Sequence, residues 1–391
     1  MEFAKRVTQL QAEGAYQVLA RAKQLEAQGH SIIHLEVGEP DFATPGHIRA
    51  AGMQAIQDGR TRYTSPRGIP ALREAIAHYA SQRRQNFPVQ PEQVVVAPGA
   101  KPLLFFPALA LVNPGDEVLY PDPGFPTYRD MIGVAGGIPV PVPLSEENEF
   151  SFDLDAFDRL ISHKTRLIVL NTPGSNPTGS VIPRADLEHI ATAAQRYDCW
   201  VMVDEIYERI VYDNLQVTSL LTLPGMAERT IVVDGFSKTY AMTGWRLGYG
   251  IMPAALAERV ELLITHSIGS TAEFTQLAGL AALSGDQHAT EQMVAAYQQR
   301  RDAIVAGLNR IPGVHCLTPR AAFYAFPNIK SFGIRSGDLA RQILDQAGVA
   351  LLPGTAFGAQ GEGYLRLSYA NSLENIAEAL QRLAGFFERL R

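Results

Sequence analysis

Apolar residues recur along this chain in two rhythms. Val18, Leu19, Ala22 and Leu25 fall at helical spacing and Gly29 supplies a stop, so the pattern predicts a helix from Glu13 to Gly29. Ile32-Ile33-His34-Leu35 reads as a short strand, and Gly38-Glu39-Pro40-Asp41 as the turn that closes it. The chain then alternates. Helical spacing covers Pro70 to Gln82, Ala100 to Leu111 and Pro183 to Tyr197, with Pro183 suited to a first turn. Short runs of Val, Ile and Leu predict strands at Gln93–Ala97, Glu117–Tyr120, Arg166–Leu170, Trp200–Asp204 and Thr230–Asp234. Strands alternating with helices imply crossover units and an α/β fold, its mostly parallel sheet covered on both faces. Such sheets bind ligands beyond the carboxyl ends of their strands.

The character changes after about residue 285. A long helix, Ala289 to Asn309, leads into two strand-like runs, Ala322–Phe326 and Tyr364–Tyr369, and a final helix starts at Ser372. This predicts a smaller α+β unit, residues 286–391, joined by the N-terminal residues 1–45. Residues 46–285 form the large α/β domain. No internal repeat or low-complexity tract interrupts the pattern.

Composition narrows the function without naming it. Apolar residues make up 46% and charged residues 19%, the balance of a globular chain, and 391 residues suffice for a large core. A formal charge of −6 argues against nucleic acid as a partner. The longest apolar run, Leu103 to Val112, is too short to span a bilayer and contains Pro107, so no membrane is expected. The first residues lack the apolar stretch of a signal peptide, which makes the cytoplasm the expected location. Only Cys199 and Cys316 are present, far apart, and buried free thiols are expected rather than a disulfide framework.

Chemistry concentrates at the predicted strand ends. Lys238 follows the strand ending at Asp234, in the run Ser237-Lys238-Thr239-Tyr240-Ala241-Met242-Thr243-Gly244-Trp245-Arg246. Asp204 ends the preceding strand, and right-handed crossovers carry both ends to one edge of the sheet. A lysine and an acid converging there suit a pyridine aldehyde cofactor. The acid keeps the ring nitrogen protonated, and the lysine holds the aldehyde and moves protons. Tyr207 follows Asp204 closely enough to reach the ring hydroxyl. Taken alone, Asp204-Glu205 is no more than a solvated strand end, and an isolated Ser-Lys pair no more than surface. Pro98-Gly99-Ala100-Lys101 sits at a strand-to-helix turn, where backbone N–H groups can close on an anion; many such turns use glycine for geometry only. Arg246 and Ser237 add a cation and a hydroxyl suited to a phosphate. The Gly244–Gly250 spacing does not match a dinucleotide fingerprint, which sets nicotinamide and flavin aside. Asn176-Pro177-Thr178-Gly179 reads as a turn after Leu170-Asn171. Arg366 lies inside an apolar strand, where it forms either a rim salt bridge or a fixed fork for a carboxylate.

Together these segments resemble the fold-type I, pyridoxal-phosphate-dependent aminotransferases of the class I/II group, which includes prokaryotic aspartate and aromatic aminotransferases. The resemblance spans nearly the whole chain. Its markers appear in family order: Gly38-Glu39-Pro40-Asp41-Phe42, Tyr63-Thr64, Gly99-Ala100-Lys101, Pro123-Gly124-Phe125-Pro126, Asn176-Pro177-Thr178-Gly179, Asp204-Glu205-Ile206-Tyr207, Ser237-Lys238 with Gly244-Trp245-Arg246, and Arg366-Leu367-Ser368. It implies a seven-stranded sheet sandwiched by helices, pyridoxal 5'-phosphate as cofactor and no metal. Lys238 would form the Schiff base and act as base for the 1,3-proton shift. Asp204 would pair with the pyridinium nitrogen, Tyr207 and Asn176 would contact the ring oxygen, and Phe125 would stack on the ring. Gly99, Ala100, Lys101, Ser237 and Arg246 would surround the phosphate. Arg366 would grip the substrate α-carboxylate, helped by Asn176 and the backbone of Gly38. Tyr63 would reach the phosphate in a neighbouring subunit, which implies a homodimer with shared active sites.

The implied reaction moves an amino group between an L-α-amino acid and a 2-oxo acid, 2-oxoglutarate being the expected acceptor. A carbon–sulfur β-lyase on the same fold is the alternative. Two departures from the family pattern stand out. Gly174 and Ser175 both intervene between Pro173 and Asn176, where the family has one residue. Some aspartate-type relatives carry a lysine near the N-terminus for a second carboxylate; Leu10-Gln11-Ala12-Glu13-Gly14 offers none, which argues against a dicarboxylate preference.

Overall fold

The computed structural model describes residues 2–8, 10, 14–85 and 87–390. Its strands, in chain order, are β1 (Ile33–His34), β2 (Val94–Ala97), β3 (Glu117–Asp122), β4 (Ile138–Pro143), β5 (Thr165–Asn171) and β6 (Trp200–Asp204). There follow β7 (Thr230–Gly235), β8 (Gly248–Ile251), β9 (Tyr324–Ala325), β10 (Val349–Ala350), β11 (Leu352–Pro353) and β12 (Leu365–Ser368). Seven of them form the central sheet, in the order β2-β8-β7-β6-β5-β3-β4. The pairings from β7 through β4 are parallel, whereas β8 runs antiparallel to both β7 and β2.

Side-chain alternation explains why this sheet is covered twice. On β6, Val201 and Val203 join Leu187 and Ile190 of the helix Arg184–Arg196 on one face. Met202 points the other way, into a cluster with Leu103 and Leu104 of the helix Lys101–Leu111. β5 follows suit, with Ile168 and Leu170 on the first side and Leu167 and Val169 on the second. All these residues are fully or almost fully buried.

Two strands of the large sheet escape the hydrophobic pattern for identifiable reasons. β4, Ile-Pro-Val-Pro-Val-Pro, carries three prolines that lack an N–H, and it occupies the sheet edge, where prolines are tolerated. β8, Gly-Tyr-Gly-Ile, has too few side chains to signal a strand. A Cβ on Gly248 would meet the backbone nitrogen of Ala100 at 2.5 Å, so glycine is required for the turn after β2 to approach this closely. Helices at Gly46–Gln57, Thr127–Ala135, Ala254–Thr265 and Glu273–Ser284 complete the layers. Pro183 is the cap residue rather than the first helical residue expected.

The remaining strands form smaller sheets, β11-β12-β9 antiparallel and β1 with β10 parallel. The helices His288–Leu308, Ser336–Ala347 and Leu373–Arg389 pack on them. The last helix begins at a true cap, Ser372 Oγ accepting from Asn375 N at 3.1 Å, and buries Ile376, Ala379, Leu383, Phe386 and Phe387 along one stripe. From the other end of the chain, the helix Gly14–Ala27 sets Ala22 and Leu25 against Leu344 and Ala350. The expected helix start at Glu13 lies outside the described residues. No helix of the described residues is long and apolar enough to cross a membrane. Both cysteines are free and buried.

Candidate active site

The parallel arrangement of β6 and β7 brings their carboxyl ends side by side, with Asp204 paired to Val233 in register. The chain leaves β7 into the short helix Phe236–Thr239, which turns Lys238 back over the sheet edge. Gly38, Ala100, Lys101, Phe125, Asn176, Asp204, Tyr207, Ser237, Lys238, Arg246 and Arg366 line one cavity of about 530 Å³. Gly99 lies just behind them, and a Cβ there would meet Arg246 Nη2 at 2.3 Å. The exception is Tyr63. It is 95% exposed and does not line this cavity.

Lys238 Nζ donates to the carbonyl of Gly38 at 2.6 Å. Burial pushes its amine down to about 8, reinforced by Arg366, Arg246 and Lys101 and opposed by Glu39. Asp204 is 6% exposed and is no solvated strand end. Its Oδ2 accepts the Tyr128 hydroxyl at 2.8 Å and its Oδ1 the amide of Ile206 at 3.2 Å. Glu205, next along, points away and pairs with buried Arg84 and with Ser219 at 3.1 Å.

Asn176 is held by its own loop. Gly174 and Ser175 amides both donate to Ser180 O, at 2.9 and 3.1 Å, which folds the extra residue back on itself. Asn176 N then donates to Asn171 Oδ1 at 2.8 Å, while Asn171 Nδ2 holds Asp204 O at 3.0 Å. The longer loop therefore still delivers Asn176 to the cavity. Arg366, 3% exposed, reaches Asn176 Oδ1 with Nη1 at 3.3 Å and Glu36 O with Nη2. Its Nε is buried without a partner, and no carboxylate forms an ion pair with it among the described residues. That excludes the rim salt bridge and leaves a fork with spare donor capacity.

The chain singles out neither Tyr128, Glu39 nor Thr243 for a role here, and Tyr324 only as a pocket residue. Tyr128 lies one helical turn beyond Phe125, at the start of the helix Thr127–Ala135, and that spacing is the signal that places it beside Phe125. Phe125 and Tyr128 meet edge to face at 5.7 Å. Glu39 and Thr243 line the cavity mouth and hydrogen-bond each other. Tyr324 sets its hydroxyl 2.6 Å from that of Tyr207.

Burial raises the Asp204 carboxyl to about 6, against the pull of Tyr128 and Ile206. Between the ordinary aspartate value and 6 the folded protein then holds a proton that the unfolded chain has released. Stability therefore falls as pH rises through this window, by on the order of 3 kcal/mol in total. Asp204→Asn removes the titration. Thermal melting of the protein alone is expected to show the variant gaining on the parent as pH goes from about 4 to 7; a gap independent of pH contradicts this reading.

The family model described as aminotransferase class I and II matches residues 30–383. An aspartate aminotransferase of Musicola paradisiaca is 39% identical, over 97% of this chain and 95% of its own. An aromatic-amino-acid aminotransferase of Thermococcus litoralis is 39% identical, over 91% of this chain and 92% of its own. Among solved structures, the aspartate aminotransferase of Thermus thermophilus with maleate superposes with a TM-score of 0.93, at 35% identity and full coverage of both chains. With the lysine, acid and arginine gathered in one cavity, these likenesses agree: the chain belongs to the class I and II aminotransferases and is a pyridoxal-phosphate-dependent transaminase of fold type I.

Proposed function

We propose that the cavity holds pyridoxal 5'-phosphate between Lys238 and Asp204 and transfers an amino group from an L-α-amino acid to 2-oxoglutarate. The observation that carries this reading is the convergence of Lys238, Asp204 and Arg366, from three separate segments, on one cavity. The donor set suits the cofactor. The helix Lys101–Leu111 begins at Ala100 with no side-chain cap, and its N-terminal residues Ala100 and Lys101 line the cavity, where the positive end of the helix dipole suits a phosphate. Gly99 is bare where Arg246 comes within 2.3 Å of an added Cβ, so the arginine can close on the same anion. Arg246 itself has φ of 52°, a left-handed backbone that a non-glycine residue holds only at a cost. Ser237 would complete the phosphate cradle, Phe125 would cover the ring, and Tyr207 with Asn176 would face its oxygen.

When bound, the cofactor supplies an aldehyde for the amine and an electron-poor ring for the electrons of the breaking Cα–H bond. This chain does the rest. Arg366 orients the substrate by its α-carboxylate. Asp204 keeps a negative charge at the ring nitrogen, and Lys238 Nζ carries the Cα proton.

The acceptor is inferred from charge. Lys101 brings an ammonium into the cavity, 5.3 Å from the centre of the Phe125 ring, and the relatives include proteins named aspartate aminotransferase. That offers a site for a second carboxylate from a direction other than the N-terminal segment, whose residues 11–13 lie outside the described ones. A screen of aspartate, glutamate, alanine, aromatic and branched donors against 2-oxoglutarate and pyruvate tests it. Lys101→Gln is expected to raise KM for dicarboxylates roughly 10-fold more than for alanine. An equal rise for all substrates assigns Lys101 to the phosphate instead. Release of pyruvate and ammonia from cystathionine without an oxo acid would point to the lyase, which the named relatives do not favour.

The exposure of Tyr63, with Met53 and Ile56 also exposed, supports a homodimer in which this tyrosine is covered and serves the other subunit's site. The contacts of Ala22 and Leu25 support residues 1–45 and 286–391 as one discontinuous domain beside 46–285. Two free buried thiols suit the cytoplasm.

A further inference from the structure

Tyr324 stands where three parts of the site meet. It lies on β9, opposite Ser368 of β12, so the strand that carries Arg366 runs beside it. The Arg366 guanidinium sits over its ring at 4.6 Å. Its hydroxyl is 2.6 Å from that of Tyr207. A Cβ on Gly38 would fall 2.1 Å from the same hydroxyl, so only a bare backbone at Gly38 admits it. The Gly38 carbonyl is in turn the acceptor for Lys238 Nζ.

The two phenols are 1% and 3% exposed, and burial raises both above the ordinary tyrosine range, so each keeps its proton. Only one of them can donate along their shared axis. A hydroxyl that accepts a hydrogen bond becomes the stronger donor. We propose that Tyr324 is a positioning residue that donates to Tyr207, freeing the Tyr207 proton for the cofactor's ring oxygen, while its ring holds the plane of Arg366. This rests on the reading of Tyr207 given above.

The two roles separate by substitution in the holoenzyme. Tyr324→Phe keeps the ring and loses the donor. It should raise the pH midpoint of the bound cofactor's visible absorption by roughly 0.4–1 unit, because a weaker donor at the ring oxygen disfavours the deprotonated chromophore. Tyr324→Leu loses the ring as well, and should raise KM for amino and oxo acids roughly 2- to 30-fold above the Phe variant. Tyr207→Phe should also raise the midpoint, and adding Tyr324→Phe to it should raise it no further. A Tyr324→Phe midpoint equal to that of the parent, or one that adds fully to Tyr207→Phe, overturns the donor role. A KM equal in the Leu and Phe variants overturns the stacking role. If Tyr207→Phe itself leaves the midpoint unmoved, the reading of Tyr207 at the cofactor fails instead.

Discussion

Lys238→Ala is expected to lower transamination by at least about 10⁴-fold, with the fold intact. The size follows from what the side chain is asked to do. It must be a neutral amine to engage the aldehyde, and an ordinary lysine is neutral less than once in a thousand at pH 7. Pushed down to about 8, Lys238 is neutral about a tenth of the time at that pH. Its Nζ is held at 2.6 Å from Gly38 O, inside the cavity that Arg366 also lines. Lys238→Arg keeps a cation but cannot deprotonate, so it should be as inactive as the alanine variant. Steady-state turnover and the absorption band that the cofactor shows only when joined to the lysine should both be lost, while melting temperature holds. Turnover within about 10-fold of the parent in either variant would remove Lys238 from the chemistry.

Removing Arg366 should cut kcat/KM roughly 30- to 5,000-fold, from a loss of about 2–5 kcal/mol. The arginine is buried and backed by Asn176 Oδ1 and Glu36 O on its two terminal nitrogens, and Tyr324 and Phe357 flank its plane at 4.6 and 5.1 Å. Such a fork is preorganised for a carboxylate. The amino acid and the oxo acid share that group, so Arg366→Ala should impair both half-reactions alike. Arg366→Lys keeps the charge, loses the planar fork and should recover only part of the loss. An amine without an α-carboxylate serves as the internal control. If it suffers as much as the amino acid, Arg366 acts on the fold and not on the substrate.

The site was legible in the chain wherever a functional group ends a regular element. Asp204 and Lys238 announce themselves because a Val- and Ile-rich run stops at the first and just before the second, and two parallel strands must then share an edge. Arg366 stood out as a charge inside an apolar strand. What the chain concealed are partners joined only by tertiary packing. Tyr128 meets Asp204 across 76 positions, and Tyr324 meets Tyr207 across 117. No local rhythm encodes such a pairing. β4 and β8 were hidden for the opposite reason, since prolines and glycines erase the side-chain alternation that marks a strand. The extra loop residue before Asn176 says nothing of the loop's reach by itself; its folding against Ser180 is a backbone event that residue identity does not report.

The two buried thiols have a practical consequence. Burial raises Cys199 to about 11 and Cys316 to about 12, so neither offers a thiolate to reagents at neutral pH while its surroundings stay closed. Cys199 belongs to the core beside β6, and Cys316 to the core shared by β9, β12 and the last helices. Alkylation therefore becomes a clock with two hands, one for the opening of each region. Equal rates mean the molecule opens as one body, and unequal rates reveal which half lets go first.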